Sequence, residues 1–376
     1  MKILAPSFFR ISKSTLAGVS IGLILWLSVL LLGGIFQLAD RSRYLAGGSI
    51  SDFHFDRTSF ADLIFGLSPV VEPVFVCINI LLLLALCRKL ILVYSLHKSQ
   101  VLILYAIGFA PFRLLFRSYA SKELLFSITT ASIIIYFLSR SILVVKSSNK
   151  LGVYRSSTFH VVPLLLILFL VSAVIRPFYA VLLLIPSILL LPSGFISSHS
   201  RKLLLLAIAL LGSISLFFII YHPYFYELLI NMMHGYFLID GRDASSTRLD
   251  YILPASSSEF LVSFIASIHQ SLLGPFVHEV FQRPHLIFVY AEGLFFVFVF
   301  LLMIRNTFSF KSGVYLSSRL SSVLLISLLY LLFVFYIFSA INYMGGIRFQ
   351  SSSVPILLLL YSLSCSILNS KQFQPS

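Results

Sequence analysis

Long unbroken apolar runs, among them LLLLALC, VVPLLLILFLV and LLFVFYIF, constrain this chain more than any other feature. Backbone can pass through hydrocarbon only as helices or closed barrels, because every N–H and C=O must find a partner within the protein. Strands of membrane barrels alternate in polarity over about ten residues, and these runs do not alternate. Composition agrees, with 59% of residues apolar or aromatic and 11% charged, against about 25% charged in soluble domains. A water-soluble enzyme, a disordered chain and a disulfide-rich secreted scaffold are excluded. The expected fold is all-α, a polytopic transmembrane bundle forming a single integral membrane domain over residues 1–376.

A helix needs about 20 apolar residues to cross a bilayer. That criterion gives about ten spans, over 16–38, 67–87, 99–116, 124–144, 159–175, 177–195, 203–222, 285–304, 321–341 and 351–368. The third is interrupted by Arg113 near its outer end, and the fifth and sixth form a tight hairpin around Arg176. Lys2, Arg10 and Lys13 precede the first span as in a signal peptide, but its apolar run is too long for a cleaved signal, so it reads as a retained anchor.

Basic residues set the orientation. With the N-terminus inside, fifteen Lys and Arg fall in cytoplasmic segments that hold no acid, and an even span count places both termini there. Together with Arg140 they contribute +16, while 11 outer basic residues against 13 acids give −2, which accounts for the net +14. The positive excess is therefore a topology signal, and no nucleic-acid partner is expected. The three cysteines show no CxxC or CxxH spacing and read as buried apolar residues. The chain also lacks a Walker loop, GxGxxG, HExxH and GxSxG, so no metal and no cofactor is expected.

Acids, bases and anion ligands concentrate on the outer side. The first outer loop, 39–66, carries Asp40 directly after a span, and its other charges balance as a solvated loop would. In FAPFRLLFRSYASKELLF, Arg113 and Arg117 share a helical face, followed by Lys122 and Glu123. Snorkelling explains one or two such cations, but three within ten residues on an outer surface oppose the inside bias. Arg176 sits at a short hairpin turn, where a charge is costly unless paired or hydrated. The large outer loop, 223–284, places Asp240, Arg242 and Asp243 around a glycine turn with Arg248 and Asp250 soon after, then continues as an amphipathic stretch expected to lie in the interface as one or two helices. Its scattered histidines lack metal-ligand spacing. Arg283 closes the loop, and Glu292 lies inside the next span, where it should face a partner such as an outer arginine. Arg348 stands at the mouth of the last span. This set of outer arginines suits a strongly anionic ligand at the interface, and a lipid pyrophosphate meets both conditions.

These segments resemble the polytopic Wzy-type O-antigen and exopolysaccharide polymerases, including their EpsG-like branch. The likeness rests on FAPFRLLFRSYASKE, on the IRP motif at Arg176–Pro177, on QRPH…AEG with Arg283 and Glu292, and on NYMGGIRF…P with Asn342, Gly346, Arg348 and Pro355. It implies a membrane glycosyltransferase on the outer face of the bacterial inner membrane, with the bilayer as its environment. Such an enzyme passes glycan from undecaprenyl diphosphate to a lipid-linked repeat unit, and other polysaccharide-assembly membrane proteins are its implied partners. Arg176 and Arg348 would stabilise the departing phosphate, and Asp240 or Asp243 would position or deprotonate the attacking hydroxyl. Arg113, Arg117, Lys122, Glu123, Arg242, Arg248, Arg283 and Glu292 would bind substrate.

Two other readings stand beside this one. A GT-C type transferase using a polyprenyl monophosphate sugar would employ Asp40, although the paired acidic motif common in such enzymes is missing. A lipid-linked oligosaccharide flippase would carry its charges along a central cavity, whereas here they gather at outer ends.

Overall fold

The computed structural model describes residues 64–68, 70–147, 272–282, 284–308, 324–332, 334–335 and 343–369, with isolated residues at 20, 23–24, 27, 256, 258–259 and 262. Among these residues all regular structure is helical. The elements are α1 (Val71–Tyr94), α2 (Lys98–Gly108), α3 (Pro111–Leu115), α4 (Lys122–Ser147), α5 (Val277–Gln282), a 3-10 turn (Pro284–Leu286), α6 (Ile287–Phe308), α7 (Tyr343–Ser352) and α8 (Val354–Asn369).

Three helices are long and apolar enough to cross a bilayer: α1, residues Lys122–Ser139 of α4, and α6. They correspond to the expected spans at 67–87, 124–144 and 285–304. Helix α8 matches 351–368 with a later start, and residues 324–332 of the span at 321–341 are helical. The spans at 159–175, 177–195 and 203–222 lie outside the described residues, as does nearly all of 16–38.

The expected third span, 99–116, is not one helix. Helix α2 stops after 11 residues, about 16 Å of rise and half of a bilayer core. The reason is local chemistry. Pro111 has no N–H to continue the ladder and forces the preceding residue out of the helical region, and Ala110 accordingly sits at φ −55° and ψ 123°. Pro111 then opens α3, where a missing N–H costs nothing. Ser121 starts α4: its hydroxyl donates to the Phe116 carbonyl at 2.9 Å and accepts from the Leu124 N–H at 3.1 Å.

Helix α8 is the centre of the bundle. Residues 350–365 are all buried, as expected of a helix that is apolar on every face. It packs against α6, α1, α2 and α4, and α4 lies along α1. The shared core includes Leu83 and Leu86 of α1, Leu104 and Ile107 of α2, Leu124 and Ile134 of α4, Phe296 and Phe300 of α6, and Leu357–Leu360 of α8. Conversely, Val70, Val74 and Ile78, and Leu294, Phe298 and Leu301, point away from the core at helical spacing and stay exposed. Such stripes suit contact with lipid.

The end of the segment expected to form the large outer loop, residues 272–274, packs against the bundle. Leu272 is buried, and the backbone at Leu273 presses so closely on α6 that a Cβ at Gly293 would fall 2.3 Å from the Leu273 carbonyl oxygen. Gly274, at φ +80°, turns the chain there. The short α5 that follows has no buried residue.

Candidate functional site: a buried arginine–glutamate cluster

The chain that enters through α2 turns round inside the bundle. A Cβ on Gly108 would lie 3.6 Å from the Cys87 sulfur and 3.7 Å from Leu358, whereas the Ala120 N–H donates to Glu72 at 2.8 Å. Cys87 and Glu72 are about 22 Å apart along α1. Residues 108–120 thus travel from the interior of the bundle to the end where α1 begins, by way of α3. That path leaves carbonyls and amides of broken helices buried in the bundle, where each requires a partner.

Arginine and glutamate side chains supply those partners. Arg117 is fully buried; its Nε donates to the Arg113 carbonyl at 3.1 Å and its Nη2 to the Gly108 carbonyl at 3.0 Å. It caps the C-terminus of α2, where a cation also meets the negative end of the helix dipole. At the other side of the break, Glu292 of α6 accepts the N–H of Phe112 at 2.7 Å and of Arg113 at 3.3 Å. Its carboxylate also pairs with Arg113 Nη1 at 2.6 Å. Arg113 Nη2 donates to the Gln350 side chain on α7, and its guanidinium carbon stacks 3.4 Å from the Phe296 ring centre. One arginine therefore ties α3, α6 and α7 together.

A second helix break lies beside the first, between α7 and α8. The Ser353 N–H and hydroxyl both donate to the Gln350 carbonyl, at 3.0 and 2.8 Å, and Pro355 begins the new helix just beyond. Helix α7 also carries Arg348, whose Nε meets Glu123 of α4 at 3.0 Å. Glu123 is completely buried, whereas the Arg348 side chain is 23% exposed. The cluster thus holds three arginines (Arg113, Arg117, Arg348) and three glutamates (Glu72, Glu123, Glu292), equal in formal charge. Basic residues Arg88, Lys89, Lys98 and Arg305 lie toward the opposite ends of their helices.

Of the sequence-derived candidates, the structure brings Arg113, Arg117, Glu123, Glu292 and Arg348 into this cluster, with Lys122 at its edge and partly buried. Glu292 faces Arg113. Arg113 and Arg117, expected to bind substrate, are buried against the chain's own groups, and their guanidiniums donate to internal acceptors. Arg176, Asp240, Arg242, Asp243, Arg248 and Arg283, together with Asp40, lie outside the described residues. Sequence reasoning did not single out Glu72 or Gln350. Glu72 offered a signal, being the one acidic residue of an otherwise apolar span; Gln350 offered none. Among the described residues no group of three or more His, Cys, Asp or Glu is placed to hold a metal. Comparison with protein-family models, with curated proteins and with solved structures found no match.

Proposed function

We propose that this protein is a polysaccharide polymerase of the bacterial inner membrane, acting on its outer face. It transfers glycan from undecaprenyl diphosphate to a lipid-linked repeat unit. The observation that carries the reading is Arg348, an arginine kept partly open at the rim of a charge cluster whose other arginines are buried. An intramembrane cluster of this kind is a functional site by default, and a guanidinium at its mouth suits a phosphate-bearing lipid.

In this scheme an acceptor hydroxyl attacks the anomeric carbon of the donor glycan. The C–O bond to the diphosphate breaks, and undecaprenyl diphosphate leaves with the bonding electrons. Arg348, with Arg176, stabilises the charge gathering on that leaving group. The hydroxyl proton passes to a loop carboxylate, Asp240 or Asp243. Arg113, Glu292 and Gln350 act as positioning residues, since they fix the helix carrying Arg348 rather than reach the ligand. Arg117 holds the α2 terminus beneath them, and Lys122, Arg242, Arg248 and Arg283 supply further cationic contacts.

Deleting the gene tests the reading: surface glycan should be capped with single repeat units, and normal long-chain glycan in the deletion strain would sink it. A second reading, a lipid-linked oligosaccharide flippase, draws support from the two adjoining helix breaks, since broken helices around buried charges also build transporter sites. In that case the deletion traps lipid-linked units on the inner face. A GT-C enzyme is separated by Asp40→Asn, which should abolish activity only under that mechanism.

A further inference from the structure

Helix α1 and the chain that forms α4 touch through polar groups at a regular interval. The Ala120 N–H donates to Glu72, and seven residues further along each chain the Ser127 hydroxyl donates to Asn79 Oδ1 at 2.7 Å. Both pairs are 48 positions apart, so the two helices run side by side in the same direction and meet at heptad spacing. Ser127 shares its helix face with Glu123, four residues before it, and Thr130, three after it. Helix α7 meets that face where Arg348 pairs with Glu123. The chain then runs on to Leu358, which lies with Cys87 beside Gly108, so α7 points the same way as α1 and α4. Ser352, four residues beyond Arg348 on the same face of α7, therefore stands at the depth of Ser127.

Asn79, Ser127, Thr130 and Ser352 are all fully buried. Three of them keep a polar atom without a hydrogen-bond partner among the described residues: Asn79 Nδ2, Thr130 Oγ1 and Ser352 Oγ. Their neighbours do not, since Thr129, Ser351 and Ser353 turn their hydroxyls back onto carbonyls of their own helices. We infer that Asn79, Thr130 and Ser352 form a binding site for an internal water, held between α1, α4 and α7. Buried waters typically make about three hydrogen bonds, to polar groups that have no other partner, and leaving such groups dry is costly. A cation is a poor fit, because none of the three is charged and the spare Asn79 atom is an N–H donor. Turning the amide over would exchange which of its atoms is spare without removing it. The inference stands apart from the polymerase reading.

Thr130→Val and Ser352→Ala each remove one hydroxyl, and the sign of the effect decides. A buried hydroxyl with no partner is a burden, so its removal stabilises or does nothing; one that holds a water is missed. With full-length protein in nanodiscs, each substitution should lower the melting temperature by about 1–3 °C. In an Asn79→Leu background, where the water has already lost a ligand, the same substitutions should lower it by much less. An unchanged or raised melting temperature in Thr130→Val overturns the inference, as do effects that simply add, which indicate separate partners. Should Asn79→Leu fold poorly, the Thr130→Val/Ser352→Ala pair supplies the same cycle. Radiolytic hydroxyl labelling of the wild type gives a second readout by mass spectrometry. A held water should place an oxygen label on the buried Leu83, one turn along α1 from Asn79, and none on the equally buried Leu90; no label on Leu83 overturns the site. Replacing sodium by choline should leave every melting temperature unchanged. Stabilisation by sodium that disappears in Thr130→Val would assign a cation to the site and overturn the water.

Discussion

Breaking the Arg113–Glu292 pair should be far more damaging than removing it entirely. Both side chains are nearly inaccessible, at 2% and 6% exposure, and 2.6 Å apart. Arg113→Met leaves a buried carboxylate with the backbone N–H groups of positions 112 and 113, and the more distant Arg117 charge, to compensate it. Glu292→Gln leaves a buried guanidinium facing a neutral amide. Losing one partner of a buried pair costs about 3–5 kcal/mol, and the backbone donors around Glu292 place Arg113→Met toward the lower end. In the double variant Arg113→Met/Glu292→Gln neither member of the pair is stranded, Arg117 alone loses the attraction of Glu292, and the new amide side chain still offers an acceptor to the Phe112 N–H. Its main deficit is the lost bond to Gln350, about 1 kcal/mol. Thermal unfolding in detergent, followed by far-ultraviolet circular dichroism, should rank the double variant closest to wild type. A double variant less stable than either single one would refute the reasoning, because the pair would then contribute by itself and not by mutual compensation.

Other perturbations have outcomes set by the same geometry. Gly293→Ala should destabilise by about 1–3 kcal/mol or more, because its Cβ would meet Leu273 backbone, which cannot swing aside; Gly108→Ala, with contacts of 3.6 Å or longer, should be neutral or mildly stabilising in the same melts. Arg117→Ala strands the buried carbonyls of Gly108 and Arg113, at about 1–3 kcal/mol each. Arg117→Lys should not rescue it, since a single ammonium does not reproduce the planar fork; yield of monodisperse protein and melting temperature check both. Arg348→Ala and Arg176→Ala should each abolish glycan chain extension while immunoblots show unchanged abundance.

Helices α1, α4 and α6 were legible in the sequence because twenty or so apolar residues between polar ends have few alternatives in a bilayer, and the shorter α8 because its run is so apolar. Charge placement was informative too: a carboxylate at position 292, inside a span, demanded a cation, and Arg113 provides it. Hydropathy misled at 99–116, where apolar residues run on through a place at which the backbone cannot. Pro111 was the clue, since the ladder breaks there while the side chains remain apolar. The function of Arg117 was not legible, because an arginine that caps a carbonyl from nine residues earlier looks, in sequence, like one that snorkels. The link from Gln350 to Arg113 joins residues 237 positions apart, and neither periodicity nor composition encodes such a pairing. The same holds for Glu123 and Arg348, which were expected to contact substrate but whose mutual contact depends on how α7 returns to α4.

Reconstitution tests the central claim most directly. Purified protein in liposomes, supplied with undecaprenyl-diphosphate-linked repeat units and no nucleotide sugar, should produce a ladder of lipid-linked oligomers on gels and release undecaprenyl diphosphate. The Arg348→Ala protein should produce neither. Repeat units that remain single in the presence of folded wild-type protein, or that cross the bilayer unextended, would contradict the account.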